Sequence, residues 1–249
     1  GNMLRVIISG YSGSMGKVLT KCANEDSELE IVCGSSKDDS DVPFKTYHKM
    51  SEVEELADVI IDFSHHSTIE DTLSYAIKTK TPIVIATTGF NDEELTKIKK
   101  ASNIVPIFHS SNMSLGVNVL VKLVKEAAKS LNGFDIEIIE KHHNKKLDAP
   151  SGTAVMIANG VKEVLPDSEY IYGRHGRSDK RSSNEIGIHA IRGGTIVGEH
   201  TTIFAGHDEV VEIKHSAQSK DIFAKGAIAA AKFLVKQEAG YYNMNNMLN

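Results

Sequence analysis

The chain has 249 residues, 41% of them apolar, and carries 28 Lys and Arg against 33 Asp and Glu, a formal charge of −5. That length suits one large domain or two modest ones, and scattered, slightly acidic charge argues against a nucleic-acid binder. No apolar run approaches the roughly 20 residues that cross a bilayer, Gly1-Asn2-Met3 does not begin a signal peptide, and Cys22 and Cys33 alone make neither a disulfide framework nor a thiolate metal site, so a reduced, cytoplasmic protein is expected.

The first 110 residues alternate strand-like and helix-like segments. Strands are expected at 4–9, 29–35, 59–63, 82–86 and 105–108, with helices at 17–24, 69–78 and 92–101. Apolar strands separated by helices predict a parallel sheet covered on both faces, hence a Rossmann-like doubly wound α/β domain. After Ser114 the rhythm changes. Helices are expected at 115–131 and 152–164, a strand at 135–141 and a polar loop at 173–184. Residues 185–192, 196–204 and 209–215 follow as three strands with short turns at Gly193-Gly194 and Gly206-His207-Asp208, the grammar of an antiparallel meander. An Ala-rich helix at 222–235 closes the pattern, and periodicity does not say on which domain it packs. The second region is expected to be an α+β domain with an open mixed sheet.

Gly10, Tyr11, Ser12, Gly13, Ser14, Met15 and Gly16 lie between the first strand and the first helix. Glycines there let the backbone turn tightly and approach a pyrophosphate, and the helix N-terminus offers N–H groups and positive dipole. Glycines also serve plain turns, but a strand before, a helix after and an N-terminal position favour a dinucleotide. An NAD-selective site places Asp or Glu about 20 residues on, against the ribose; here the segment reads Ser35-Ser36-Lys37-Asp38. Lys37 would welcome a 2′-phosphate, so NADPH is expected beside NADH. Read otherwise, Lys37 is a solvated loop residue and Asp38 or Asp39 faces the ribose. Ala86, Thr87 and Thr88 follow the fourth strand, and Ser110, Ser111, Asn112 and Met113 follow the fifth. Ligands of open α/β sheets bind along that edge, so these residues are candidates for the nicotinamide half, or simple turns.

Residues 140–154 run Glu140-Lys141-His142-His143-Asn144-Lys145-Lys146-Leu147-Asp148-Ala149-Pro150-Ser151-Gly152-Thr153-Ala154. On a strand end, His142 and His143 point to opposite faces and cannot share one task. Pro150 suits the first turn of a helix and Asp148 could cap it. The N–H groups of Ser151, Gly152 and Thr153 then form an anion site fit for a carboxylate. His exchanges protons near neutral pH, and Lys146 can serve as charge or acid. A surface His pair and a solvated Lys145-Lys146 pair are the plain alternative. His189, His200, His207 and His215 raise the question of a metal, but no His-x-x-x-His helix pair accompanies them and no metal is expected.

That segment resembles the signature of the 4-hydroxy-tetrahydrodipicolinate reductase (dihydrodipicolinate reductase) family, a resemblance that runs over nearly the whole chain. It extends to Gly10–Gly16, Asp62-Phe63-Ser64, Thr87-Thr88-Gly89-Phe90, 112–118, Gly198-Glu199-His200 and 223–227. It implies NAD(P)H-dependent reduction of a cyclic dicarboxylate to tetrahydrodipicolinate in lysine (diaminopimelate) biosynthesis. His142 and Lys146 match the catalytic positions, and His143, Gly152 and Thr153 the substrate-binding ones. Gly10–Met15, 86–88 and 110–113 match cofactor positions. It implies a homotetramer formed by the C-terminal domains, with residues 1–113 and 218–249 as the dinucleotide domain and 114–217 as the substrate and oligomerisation domain. Many members carry an acid then Arg near Ser36-Lys37, Arg where His65 stands and Arg where Lys220 stands. Lys220 keeps the charge and loses the bidentate fork. Two rivals are another two-domain dehydrogenase acting on a semialdehyde or an amino acid, the semialdehyde type being disfavoured by the lack of a Cys beside the His cluster, and a redox-sensing nucleotide binder, which needs no proton-transfer group.

Overall fold

The computed structural model describes residues 3–177 and 179–249, so Ser178, within the polar loop expected at 173–184, lies outside it together with Gly1 and Asn2. In chain order the elements are β1 (Leu4–Ser9), α1 (Ser14–Glu25), β2 (Leu29–Ser35), β3 (Lys45–Tyr47), β4 (Val59–Asp62), α2 (Ile69–Thr79), β5 (Ile83–Ile85), α3 (Asp92–Ala101) and β6 (Pro106–His109). Then come α4 (Leu115–Ser130), β7 (Asp135–His142), α5 (Gly152–Val164), β8 (Glu169–Tyr172), β9 (Glu185–Arg192), β10 (Gly198–Gly206), β11 (Glu209–Ala217), α6 (Asp221–Leu234), β12 (Gly240–Tyr242) and α7 (Met244–Leu248). The chain divides into two compact units, Gly1–Leu115 with Lys220–Asn249, and Gly116–Ser219.

The first unit holds a seven-stranded sheet in the order β12-β6-β5-β4-β1-β2-β3, with every pairing parallel. Strand alternation feeds both faces. Val6, Ile8, Val59, Ile61 and Val84 pack on α1 and α6 through Leu19, Cys22, Ala224, Ala227 and Ala231. Ile7, Ile60, Ile83 and Ile85 pack on α2 and α3 through Leu73, Ala76, Ile98 and Ala101. This is the Rossmann-like sheet expected from residue pattern. Burying a Val, Leu or Ile side chain contributes roughly 1.5–3 kcal/mol each, so β1, apolar on both faces, anchors the unit. The Ala-rich helix α6 belongs here. α3 starts on a complete capping box: Asn91 accepts from the Glu94 N–H while the Glu94 side chain accepts from the Asn91 N–H.

The second unit holds a mixed five-stranded sheet in the order β11-β10-β7-β9-β8. Ile136, Ile138, Ile186, Ile188 and Phe204 line one face and pack on α4 and α5 through Leu120, Val124, Ile157, Ala158 and Val161. The expected meander is corrected. β10 and β11 form an antiparallel hairpin, but β9 pairs parallel with β7, and β7 is inserted between β9 and β10. Short turns at both ends of β10 looked alike in sequence; one is a hairpin, while the other carries the chain past the end of β7. Gly193 N–H donates to the His142 carbonyl at 3.0 Å, fastening that crossing.

The opposite face of β7 carries Glu137. Its carboxylate accepts from Arg174, from Arg181 at 2.9 Å, from the Gly187 N–H at 2.8 Å and from His189 at 3.0 Å. Burial pushes this carboxyl up, but the donors from Arg174, His189 and Arg181 outweigh it and hold it at about 2. Both arginines come from the 173–184 loop, so the loop is fastened to the sheet by charge.

Candidate active site

In the first unit the loop after β1 makes a concave site. Gly10 has φ +84°, open to glycine, and a Cβ on Gly16 would lie 1.9 Å from the Gly10 carbonyl oxygen. The loop therefore lies flat on the first turn of α1. Gly13 occupies the N-cap with no side-chain cap bond, and the first turn holds no acid. Its N–H groups and dipole are thus offered outward to an anion.

A cavity of about 520 Å³ opens beside this turn, with Gly10, Ser12, Gly13, Lys37, Asp38 and His65 among its lining residues. The Ser12 and Ser36 hydroxyls bond at 2.5 Å, closing its floor. Lys37 and Asp38 line it and are exposed, whereas Asp39 bonds at 2.9 Å to His48, another lining residue, without lining the cavity itself. His65 accepts from the Ser67 N–H at 3.2 Å.

The other residues expected here lie at the carboxyl edge of the same sheet but outside that cavity. Tyr11 is buried, with its ring edge-on to Phe44 at 5.8 Å. Met15 and Ala86 pack on the core, and Met113 is buried within it. Ser14, Thr88 and Ser111 are exposed. Thr87 is buried and donates to the Ser64 carbonyl at 2.9 Å. Ser110 donates to the Asn112 carbonyl at 2.8 Å, and the Asn112 amide oxygen accepts from the Ser114 N–H at 2.9 Å. Tyr11 and Met113 can thus meet a ligand only through the backbone.

Asp62 ends β4. It is wholly buried, and its Oδ1 accepts from both the N–H and the hydroxyl of Ser64, at 3.0 and 2.5 Å. Burial raises its carboxyl above the ordinary range. It ties the end of β4 to the turn beneath the glycine loop.

In the second unit, strand alternation puts Glu140 on the buried face of β7 after Ile136 and Ile138, and His142 follows it two residues on. His142 Nδ1 bonds to Glu140 at 2.6 Å. Arg192, at the end of β9 and in register with His142, forks onto Glu140 with both contacts at 2.9 Å. The Ser151 N–H donates to Glu140 at 3.1 Å. Burial alone would raise the Glu140 carboxyl, but donors from Arg192 and His142 hold it below the ordinary range. Beside them His200 Nε2 lies 2.7 Å from the Ser151 hydroxyl and its ring meets His142 edge-on at 5.2 Å. Burial, with the charge of His142 second, lowers His200 to about 4, so it stays neutral near pH 7.

The start of α5 differs from expectation at Pro150 and at Asp148. Ser151 is the N-cap, accepting from the Ala154 N–H at 3.1 Å. Pro150 therefore stands before the cap and outside the helix. Asp148 does not cap it either: its carboxylate takes Lys146 Nζ at 3.0 Å. Ser151 wins because its shorter side chain, one residue before the first helical turn, reaches the N3 amide directly. The first turn has no acid, and the space above Gly152 is open. Thr153 follows on the same turn. His143 is half-buried and accepts from the Lys145 N–H at 3.2 Å. The structure thus gathers His142, His143, Lys146, Gly152 and Thr153 at one end of β7 and α5. Reading the residues assigned no role to Glu140, Arg192 or His200, and it offered the Ser151 N–H to the anion site, where the structure gives it to Glu140. Glu140 alone had a signal, a charge at an inward position of an alternating strand.

The dihydrodipicolinate reductase N-terminus family model matches residues 4–113, and its C-terminus counterpart matches residues 116–248. The chain is 56% identical over 247 residues to the 4-hydroxy-tetrahydrodipicolinate reductase of Caldanaerobacter subterraneus subsp. tengcongensis, covering 99% of this chain and 98% of that one. It is 47% identical over 250 residues to the enzyme of the same name from Clostridium tetani, with coverage of 99% and 98%. A solved dipicolinate-bound dihydrodipicolinate reductase from Paenisporosarcina sp. TG-14 shares the fold, with a TM-score of 0.84 at 23% identity over 98% of this chain and 99% of that one. Matches to both halves, and full-length relatives at these identities, show that the chain belongs to the dihydrodipicolinate reductase family and is an NAD(P)H-dependent oxidoreductase.

Proposed function

We propose that this chain reduces 4-hydroxy-tetrahydrodipicolinate to tetrahydrodipicolinate, with release of water, in lysine (diaminopimelate) biosynthesis. The observation that carries the reading is His142, held by a buried carboxylate beside the open first turn of α5. Relatives in this family carry that reaction's name, and the Paenisporosarcina protein is described with dipicolinate bound. A cyclic dicarboxylate suits a helix start that offers N–H groups beside Lys146.

NADPH or NADH fits the first unit, where bare amides, a flat glycine loop and Lys37 meet at one cavity. Gly10, Tyr11, Ser12, Gly13, Ser14 and Met15 would hold the pyrophosphate end and Lys37 a 2′-phosphate. Ala86, Thr87, Thr88, Ser110, Ser111, Asn112 and Met113 would hold the nicotinamide half. When bound, the reduced nicotinamide supplies hydride to the ring carbon. In the second unit, the N–H groups of Gly152 and Thr153 with the Thr153 hydroxyl hold one carboxylate, and His143 adds a donor. Reduction of a conjugated imine drives an electron pair toward the ring nitrogen, which then needs a proton. His142 and Lys146 deliver it.

We place the enzyme in the cytoplasm as a homotetramer built through the second unit, where Ile191, Val210 and Val211 stand exposed. The two cysteines, both buried in the first unit, supply no nucleophile of the kind a semialdehyde dehydrogenase needs. The test is oxidation of NADPH and NADH with freshly generated synthase product, with and without pyridine-2,6-dicarboxylate. Oxidation that needs the product and is suppressed by the dicarboxylate is expected; none with either cofactor overturns the reading.

A further inference from the structure

Glu140 passes no proton in the scheme above, yet it is the wholly buried ion on which His142 rests. Its Oε2 accepts from both His142 Nδ1 and Arg192, at 2.6 and 2.9 Å. Its Oε1 accepts from Arg192 and the Ser151 N–H, at 2.9 and 3.1 Å. Arg192 also donates to the Asp148 carbonyl at 2.7 Å, which fixes the guanidinium from the far side. A carboxylate has no proton to give, so the hydrogen in the short bond sits on His142 Nδ1 and the exchangeable lone pair sits on Nε2. Nε2 lies over Gly198, where any Cβ would approach to 3.1 Å. The backbone has therefore been cleared on the side where proton exchange would occur.

A lone carboxylate in contact with an imidazole favours its charged form by about one to three pK units. That would trap the proton a general acid must release. The forked Arg192 contact cancels this charge while leaving the bond to Nδ1 in place. We propose that Glu140 and Arg192 are a positioning pair for His142: the carboxylate fixes the Nδ1–H tautomer and aims Nε2, and the guanidinium cancels the carboxylate's charge so that His142 can give up its proton. The proposal rests on the reading that His142 transfers a proton. Other charged or titratable groups around His142 are His200 on β10, with His215 paired to it on β11, the Lys146–Asp148 pair in the following loop, and His143. Glu199, the next β10 residue, is taken by Lys214 at 2.9 Å. All of these persist in the variants below, so differences between variants report on the pair.

The test compares pH profiles of kcat/KM for the wild type, Arg192→Met, Arg192→Lys and Glu140→Gln, together with nitrogen NMR of isotope-labelled histidine. In Arg192→Met the uncancelled carboxylate moves the alkaline limb upward by about one pH unit. In Glu140→Gln the remaining guanidinium moves it downward by a similar amount, and Arg192→Lys lies near the wild type. NADPH affinity, a property of the first unit, stays unchanged throughout. The wild-type spectrum shows His142 protonated at Nδ1, a readout that needs no variant to fold. Limbs that stay put or move together, or an Nε2–H tautomer, overturn the pair. If the wild type fails to oxidise NADPH with freshly generated synthase product, the proposed function falls, while the titration of His142 by NMR in wild type and Arg192→Met still decides the pair.

Discussion

At the start of α1 the groups offered to a ligand are main-chain amides, uncovered by glycine and left without a side-chain cap. At the end of β7 they are side chains, each held by another: His142 by Glu140, Glu140 by Arg192, Lys146 by Asp148. The first site needs only a path for the backbone, so its tolerance for substitution is set by space. The second needs charges at fixed mutual positions, so its tolerance is set by partners. Binding of the dinucleotide and transfer of the proton should therefore fail separately.

The largest expected effect is on chemistry. His142→Ala should lower kcat by about 10²–10⁴-fold, the usual worth of a general acid, with NADPH affinity unchanged by fluorescence titration. Gly16→Val is the converse. Its side chain would meet the Gly10 carbonyl, so NADPH binding should be lost while the second unit keeps its structure, as histidine NMR signals would show. A Gly16→Val protein that binds NADPH normally would refute the claim that space governs the first site.

Glu137 sharpens the contrast within one strand, since it is a charge cluster on β7 facing away from His142. Its carboxyl falls from the ordinary 4.5 to about 2 in the folded chain. A depressed carboxyl contributes its stability in full above the unfolded value and loses it as pH falls through the folded one. Stability should thus decline between about pH 4.5 and 2, and Glu137→Gln should flatten that decline, removing on the order of 3 kcal/mol at neutral pH. Denaturant unfolding across that range checks it, with kcat near wild type if the cluster only fastens the 173–184 loop. The smallest effect belongs to Lys37→Ala, which should raise the KM for NADPH about tenfold, as for one charge-assisted contact, and leave that for NADH alone. Equal effects would remove Lys37 from the 2′-phosphate site.

The same contrast explains what could be read from residues alone. Alternation in Val6-Ile7-Ile8 and in Val59-Ile60-Ile61 fills two cores and makes the parallel sheet legible. The glycine loop was legible because its requirement is local. The three-residue strands β3 and β12 carry too little pattern to stand out. The place of β9 beside β7 was hidden because turn spacing does not record which strand lies between two others. Arg192 escaped for the same reason: only the register of β7 with β9 brings it to Glu140 across 52 positions. The helix cap went to Ser151, which stands directly before the first turn, and not to Asp148, which stands three residues earlier and binds Lys146.

The division between holding and proton transfer is tested most directly by Lys146→Ala, with kcat measured beside the equilibrium affinity for NADPH. The account predicts a fall in kcat of at least about a hundredfold with that affinity unchanged. Wild-type turnover, or an equal loss of NADPH binding, would contradict it.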